Sequence, residues 1–366
     1  MIRNLFLSTL SVLALLGGSS LAQSQAGLPA DKVKRIEMIV SSEMSRQNIP
    51  GLSIAVIAGR EHRWSKGYGL ADLENAVSAK PASVYRIASV SKPITATAVM
   101  QLVERGLIDL DAPAQKYCPA FPQKQWPVSV RQLLNHQSGI RAYKSDEETI
   151  STRHYTNIEE TLDGFKDDPL QFEPGSKMAY TTYGYTVLGC VIEGASGMKY
   201  ADYLRDQVFK PAGMKDTRAE NVYEIVRGRV RGYSKAGGGL RNSVLLDVSY
   251  KIPGGGLIST VEDMARFSVA LQNNLLVKRE TLEMMWTRQK SRDGQQTVYG
   301  LGWFVFERNG QKEVGHGGDQ QGTSAALFIL PGSRTTVAVL ANLDRVDTLN
   351  LVRRVMDALR PSKSVP

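Results

Sequence analysis

The sequence predicts an α/β (α+β) protein in which both ends of the chain build one antiparallel sheet with flanking helices, and a mainly helical lobe is inserted between them. Three observations carry this. Strand-like runs occur at 51–57 and 62–68 and return at 301–306, 325–330 and 336–340. Between them, from about residue 81 to 294, the apolar spacing is helical. Short turns separate neighbouring strands: Gly59-Arg60-Glu61 suits a hairpin, and Pro331-Gly332-Ser333 a turn. The sheet lobe then occupies about residues 30–80 and 295–360 and the helical lobe about 81–294, within one domain from 23 to 366.

The elements follow in chain order. Residues 1–22 read as a cleaved secretory signal: Arg3 is the positive start, Leu5 to Leu16 the apolar stretch, and Ser20-Leu21-Ala22 the small-residue cleavage site. A second such site ends at Ala26. The apolar stretch is too short for a stable membrane span, so a periplasmic or secreted protein is expected. Asp31 caps a helix to about Arg46, with Val33, Ile36, Ile39, Val40 and Met44 on its apolar face. The next helix carries Ser89, tolerates Pro93 in its first turn and stops at Gly106. Ser129 leads a short helix containing Leu133 and Leu134, and Thr260 caps one through Phe267 and Leu271. A last helix spans Asp347 to Leu359.

Composition narrows the function classes. The chain has 366 residues, 42% of them hydrophobic, which is ample for a large core. Its net charge of +9 is scattered rather than clustered, so nucleic-acid binding is not expected. The four histidines show no metal-ligand spacing and no phosphate-cradling glycine loop is present, so no metal or nucleotide cofactor is implied. The only cysteines are Cys118 and Cys190. An oxidising compartment permits a disulfide, but the apolar helical setting of Cys190 reads as two buried free thiols.

Three motifs carry chemistry. Ser89-Val90-Ser91-Lys92 places a hydroxyl and an amine three residues apart at a helix start. Positions i and i+3 share a helix face, so Lys92 can take the proton that makes serine a nucleophile. The same spacing recurs at Ser196-Gly197-Met198-Lys199, but Gly194 reads as a helix stop and that pair as a solvated loop. Tyr180-Thr181-Thr182 precedes an apolar helix, and a phenol beside an ammonium can be partly deprotonated and shuttle a proton. Gly315-His316-Gly317-Gly318 precedes a strand from Gly322 to Leu330, where glycines at a sheet edge let a substrate backbone approach.

Together, Ser89-x-x-Lys92, Tyr180-x-Thr182 and His316-x-Gly318 resemble the serine beta-lactamase and penicillin-binding-protein-like hydrolases, class C branch. Leu133-Leu134-Asn135-His136-Gln137-Ser138-Gly139, Pro253-Gly254-Gly255-Gly256 and Tyr299-Gly300-Leu301-Gly302-Trp303 support this. Asp168-Pro169-Leu170, Ser249-Tyr250-Lys251 and Met284-Met285-Trp286-Thr287 are similar to the mitochondrial-type subgroup. The resemblance implies a beta-lactamase/transpeptidase-like fold, with Ser89 as the acylated nucleophile and Lys92 and Tyr180 sharing acid and base work. It further implies an oxyanion hole from the backbone N–H groups of Ser89 and Asp319. Thr182, Gly317 and Gly318 would line the substrate cleft, and His316 would line it and help set the protonation of Tyr180.

Two departures bear on substrate. The lactamases of this branch carry asparagine where Thr182 stands and Lys-Thr-Gly where His316-Gly317-Gly318 stands. A mostly neutral imidazole removes a fixed charge that would attract a beta-lactam carboxylate. The expectation is therefore a peptidase, carboxypeptidase or esterase acting on a small molecule or peptide, such as a cell-wall peptide. A true beta-lactamase, or a non-catalytic cell-wall peptide-binding or assembly protein, is the alternative. A homo-oligomer is compatible with the sequence.

Overall fold

The computed structural model describes residues 27–60 and 62–360. The signal and its two cleavage sites lie outside those residues. Helices α1 (Ala30–Gln47), α2 (Ser91–Glu104), α3 (Tyr183–Ser196), α4 (Val261–Gln272) and α5 (Thr348–Leu359) surround a seven-stranded antiparallel sheet. Its strands are β1 (Gly51–Ala58), β2 (His62–Asp72), β3 (Val77–Ser78), β4 (Phe304–Arg308), β5 (Gln311–Gln320), β6 (Thr323–Leu330) and β7 (Thr335–Ala341). They lie in the order β3-β2-β1-β7-β6-β5-β4. β1 pairs with β7 from Leu52↔Ala341 to Ile57↔Thr336, joining early and late parts of the chain in the middle of the sheet.

Alternation along these strands sorts side chains to opposite faces. Leu52, Ile54, Val56, Val337 and Val339 pack with Ile36 and Val40 of α1 and Leu351, Val352 and Val355 of α5. Ala55, Ile57, Leu327, Ile329, Ala338 and Leu340 face the helical lobe. Both faces are covered, which is why β6 and β7 read as unbroken apolar runs. Fully burying such an aliphatic side chain stabilises the fold by about 1.5–3 kcal/mol.

Two strand expectations need correction. The run expected at 301–306 starts as strand only at Phe304. Residues 299–303 form a tight loop closed by Gly300 N–H donating to Trp303 O at 2.8 Å, and Gly302 (φ +89°) presses so closely on Ala96 of α2 that a Cβ would overlap it. Conversely, the Gly315–Gly318 motif does not merely precede a strand. It lies inside the ten-residue β5, whose polar, glycine-rich sequence hides its strand character.

In the helical lobe α2 is the central element, buried continuously from Ser91 to Leu102. The caps act as expected: Ser129 forms a reciprocal capping box with Gln132, and Thr260 accepts from Asp263 N–H. α3 runs past Gly194 and ends at Ser196, capped by Gly197 at φ +70°. Ser196 is therefore helical, its hydroxyl bonded to Ile192 O at 2.6 Å, while Lys199 is exposed. The free-thiol reading is overturned: Cys118 and Cys190 form a disulfide with Cα atoms 5.4 Å apart. The turn after Ala114–Lys116 folds back onto α3, a proximity hidden by 72 residues of separation.

Candidate active site

The site is built on a strained turn. Ala88 takes a left-handed conformation (φ +45°) in the 3-10 turn Ala88–Val90 that feeds α2. A non-glycine residue there costs about 1–3 kcal/mol and persists only when its surroundings fix it. They do: Ser91 Oγ donates to Ala88 O at 2.7 Å and accepts from Leu257 N–H at 3.3 Å, while Ile87 N–H donates to Leu257 O at 3.0 Å. Ser89 is thus held at the start of α2 with Lys92 one turn on.

Lys92 is fully buried, with Nζ 3.1 Å from Ser89 Oγ, 3.3 Å from Thr182 Oγ1 and 2.7 Å from Gly254 O. No carboxylate pairs with it among the described residues. Burial, reinforced by the positive charge of Lys251, holds its pKa well below the ordinary 10.5. A neutral amine has two N–H groups and one lone pair. In that form Gly254 O and Thr182 Oγ1 can accept the two hydrogens, which leaves the lone pair for the hydroxyl proton of Ser89.

The ring centroid of Tyr180 lies 4.8 Å from Lys92 Nζ, and its phenol is within electrostatic reach of the Ser89 hydroxyl. The residue keeps 37% of its surface exposed, yet protein crowds the phenol and that desolvation raises its pKa. The partly deprotonated phenol expected from the sequence is not favoured here: desolvation outweighs the opposing effect of the Ser89 hydroxyl and holds Tyr180 as a phenol. His316 lies farther off, its ring 6.1 Å from that of Tyr180. Its Nδ1 is 2.5 Å from Gly317 O, which can only accept, so Nδ1 carries the proton and Nε2 accepts from Tyr299 Oη at 2.9 Å. Burial and Lys92 push its pKa down to about 3, so it is neutral.

Of the remaining expected residues, Thr182 and Asp319 line the opening beside Ser89, whereas His316, Gly317 and Gly318 lie outside its lining. Gly318 backs directly onto the nucleophile turn: a Cβ there would stand 2.5 Å from Ile87 O and 2.9 Å from Ser89 N. Gly317 meets nothing nearer than Ala325 O at 4.0 Å, so its role is openness rather than close packing. β4 pairs with β5 only as far as Gly315, which leaves residues 316–320 without a strand partner on that side. Asp319 is tied down, its Oδ1 accepting from Ser324 Oγ at 2.7 Å and Arg345 N–H at 2.6 Å. A cavity of about 270 Å³ is lined by Ser89 together with Thr182, Lys251, Gly254, Asp319, Asp344 and Arg345. A larger cavity of about 990 Å³, near His154 and Arg205, contains none of Ser89, Lys92 and Tyr180.

Several residues of the site had no role assigned from sequence. His136 is buried at φ +60°, stacks 4.2 Å from Tyr180 and accepts from Thr181 N–H at 3.3 Å. Tyr185 and Tyr299 close the same aromatic box, and Gly254 supplies the carbonyl that orients Lys92. The signals were the stretches around His136, Gly254 and Tyr299, which resembled the family without indicating what each side chain touches. Among the described residues no group of His, Cys, Asp or Glu is placed to hold a metal ion.

Comparison with known proteins agrees with this geometry. Residues 36–359 match the family described as Beta-lactamase. The mitochondrial serine beta-lactamase-like protein LACTB of Homo sapiens is 31% identical, over 79% of this chain and 70% of that protein. Among solved structures, the D-amino acid amidase of Ochrobactrum anthropi has a TM-score of 0.79 at 27% identity, covering 90% of this chain and 99% of its own. The octameric penicillin-binding protein homologue of Pyrococcus abyssi has a TM-score of 0.78 at 27% identity, covering 89% and 77%. A serine 3.1 Å from a buried lysine at the head of a buried helix, a tyrosine ring against that lysine and a glycine strand behind the turn are thus joined to matching sequence and fold: the chain belongs to the beta-lactamase family of serine hydrolases.

Proposed function

We propose that the protein hydrolyses peptides, amides or esters through an acyl-enzyme on Ser89 rather than acting chiefly on beta-lactams. The observation that carries this is the 3.1 Å approach of Ser89 Oγ to a buried lysine with no carboxylate partner. Ser89 Oγ attacks the substrate carbonyl as its proton passes to Lys92 Nζ. The oxyanion takes hydrogen bonds from the backbone N–H groups of Ser89 and Asp319. On collapse the bond to the leaving group breaks, and Tyr180 relays the proton from Lys92 to the departing nitrogen or oxygen. Water then attacks the ester, gives up a proton along the same path, and Ser89 leaves with its own restored.

The neutral, Tyr299-bonded His316 supports the preference against beta-lactams, since it offers no charge to their carboxylate. The D-amino acid amidase neighbour supports an amide substrate. Export to an oxidising compartment is part of this reading, and the Cys118–Cys190 disulfide supports it. Self-association is also proposed, after the octameric Pyrococcus homologue, and is read by size-exclusion chromatography with light scattering. Among the described residues, no helix is long and apolar enough to cross a membrane.

Labelling with a fluorophosphonate probe followed by peptide mapping tests the nucleophile. Label confined to Ser89, and absent from Ser89→Ala, is expected; label elsewhere, or none, would refute the assignment. Parallel assays with p-nitrophenyl esters, nitrocefin and peptide amides test the preference, and nitrocefin as the best substrate would overturn it.

A further inference from the structure

The mechanism uses one buried lysine, and the cavity holds a second. Lys251 is 6% exposed and lines the same cavity as Ser89. Its side chain runs beside Gly255, where a Cβ would lie 3.7 Å from both Lys251 Cδ and the carbonyl carbon of Ala88, next to the nucleophile. No side-chain hydrogen bond or ion pair satisfies its ammonium among the described residues; the ring of Tyr250, 5.1 Å away, gives it only a cation–π contact. Glu220, the carboxylate that acts on it, is held by Arg86 Nε at 2.6 Å. A nearly buried, unpaired ammonium facing open space beside a reacting serine is an anion site without its anion.

We infer that Lys251 binds a carboxylate of the substrate, so that the preferred substrates are acyl compounds carrying a free carboxylate a few bonds from the scissile carbonyl. This rests on the hydrolase reading and names its substrate class. The carboxylates in the lining do not compete with Lys251 for an anion. Asp319 and Asp344 would repel an anion there, and each already accepts hydrogen bonds from its neighbours. Lys251 stands in the turn Ser249–Lys251 of the helical lobe and His316 in β5, so this charge does not take the position left neutral by the imidazole.

The test measures binding, which separates it from the chemistry. Ser89→Ala protein is titrated calorimetrically with N-acetyl-D-alanine and N-acetyl-L-alanine, and with their carboxamides. The acid form of one enantiomer should bind about ten- to a hundredfold tighter than its amide, the range for a charge-assisted hydrogen bond. Adding Lys251→Met should abolish the difference, and Lys251→Arg should retain most of it. Equal binding of acid and amide, a preference that survives Lys251→Met, or no binding of any probe would overturn the inference, whatever the labelling of Ser89 shows. Should Lys251→Met fail to fold, the pH dependence of Ser89→Ala alone decides. Burial and Arg86 push the Lys251 pKa down to about 7, so the acid-over-amide ratio should fall as pH rises beyond it. Arg86, Glu220, Lys92, Tyr250 and Tyr143 surround this group, with Asp319, Asp344 and Arg345 also lining the cavity. A ratio flat from about pH 6 to about pH 9 would refute the assignment.

Discussion

Lys92 and Lys251 are both buried beside the same serine, and neither has a carboxylate partner of its own. Their surroundings differ in one respect. Lys92 has three oxygens within reach, arranged so that a neutral amine satisfies them, whereas Lys251 has none. Elsewhere the fold pairs the charges it buries. Glu313 takes Arg353 at 2.6 Å and Arg308 at 3.1 Å, and Glu43 is held by Arg46, Gln47 and Arg354. Among the described residues, burial of a charge without pairing is thus found at Lys92 and Lys251, beside Ser89. One lysine is finished as a base, and the other is left open for a ligand.

The largest effect should come from the finished corner. Lys92→Met removes the acceptor of the serine proton, so ester hydrolysis should fall by about 10³–10⁴-fold while the melting temperature holds. Retention of more than a tenth of the activity would mean that the base lies elsewhere, and would erase the contrast between the two lysines. Tyr180→Phe should cost about 10²-fold, because Lys92 remains but the relay to the leaving group is gone. Substrates with good leaving groups, which need no protonation, should lose less, and a leaving-group series measures this directly.

How much of this was legible in the sequence follows from the range of each interaction. The Ser89–Lys92 pair is local, one helical turn, and the motif placed it correctly. Tyr180 and Thr182 reach Lys92 only through the packing of α3 on α2, so the residue types pointed to the site through family resemblance alone. β5 was obscured because its glycines answer to tertiary contacts, Gly315 under Phe328 and Gly318 against Ile87, rather than to strand propensity. The protonation of Tyr180 was misjudged because it depends on desolvation, which spacing does not reveal. Lys251 sits in the stretch Ser249-Tyr250-Lys251, but its missing partner is visible only in three dimensions.

Gly318 tests whether the two corners share one rigid turn. In Gly318→Ala the new methyl meets Ile87 O and Ser89 N, both backbone atoms that cannot swing aside. Stability should drop by about 1–3 kcal/mol in chemical denaturation, with slower labelling of Ser89. Gly317→Ala, which meets open space, should leave stability nearly unchanged. Equal losses in the two variants would show that the strand yields, and that the turn is not clamped from behind.

The smallest effect separates the lysines by pH. The pKa of Lys251 falls from 10.5 to about 7 on folding. Between those values the unfolded chain holds a proton that the folded protein has released, so stability rises with pH across that window. Below about 7 both states are charged and the penalty of burying the ammonium is fully present. Lys251→Met should therefore raise the melting temperature most on the acid side, by the equivalent of about 1 kcal/mol once water in the cavity screens the charge. The gain should shrink towards pH 10. The same variant removes a positive neighbour of Lys92, so the acid limb of the ester-hydrolysis profile should move to higher pH. A stability gain that does not change with pH would mean that Lys251 is already neutral or satisfied, and the two corners would then differ in position only.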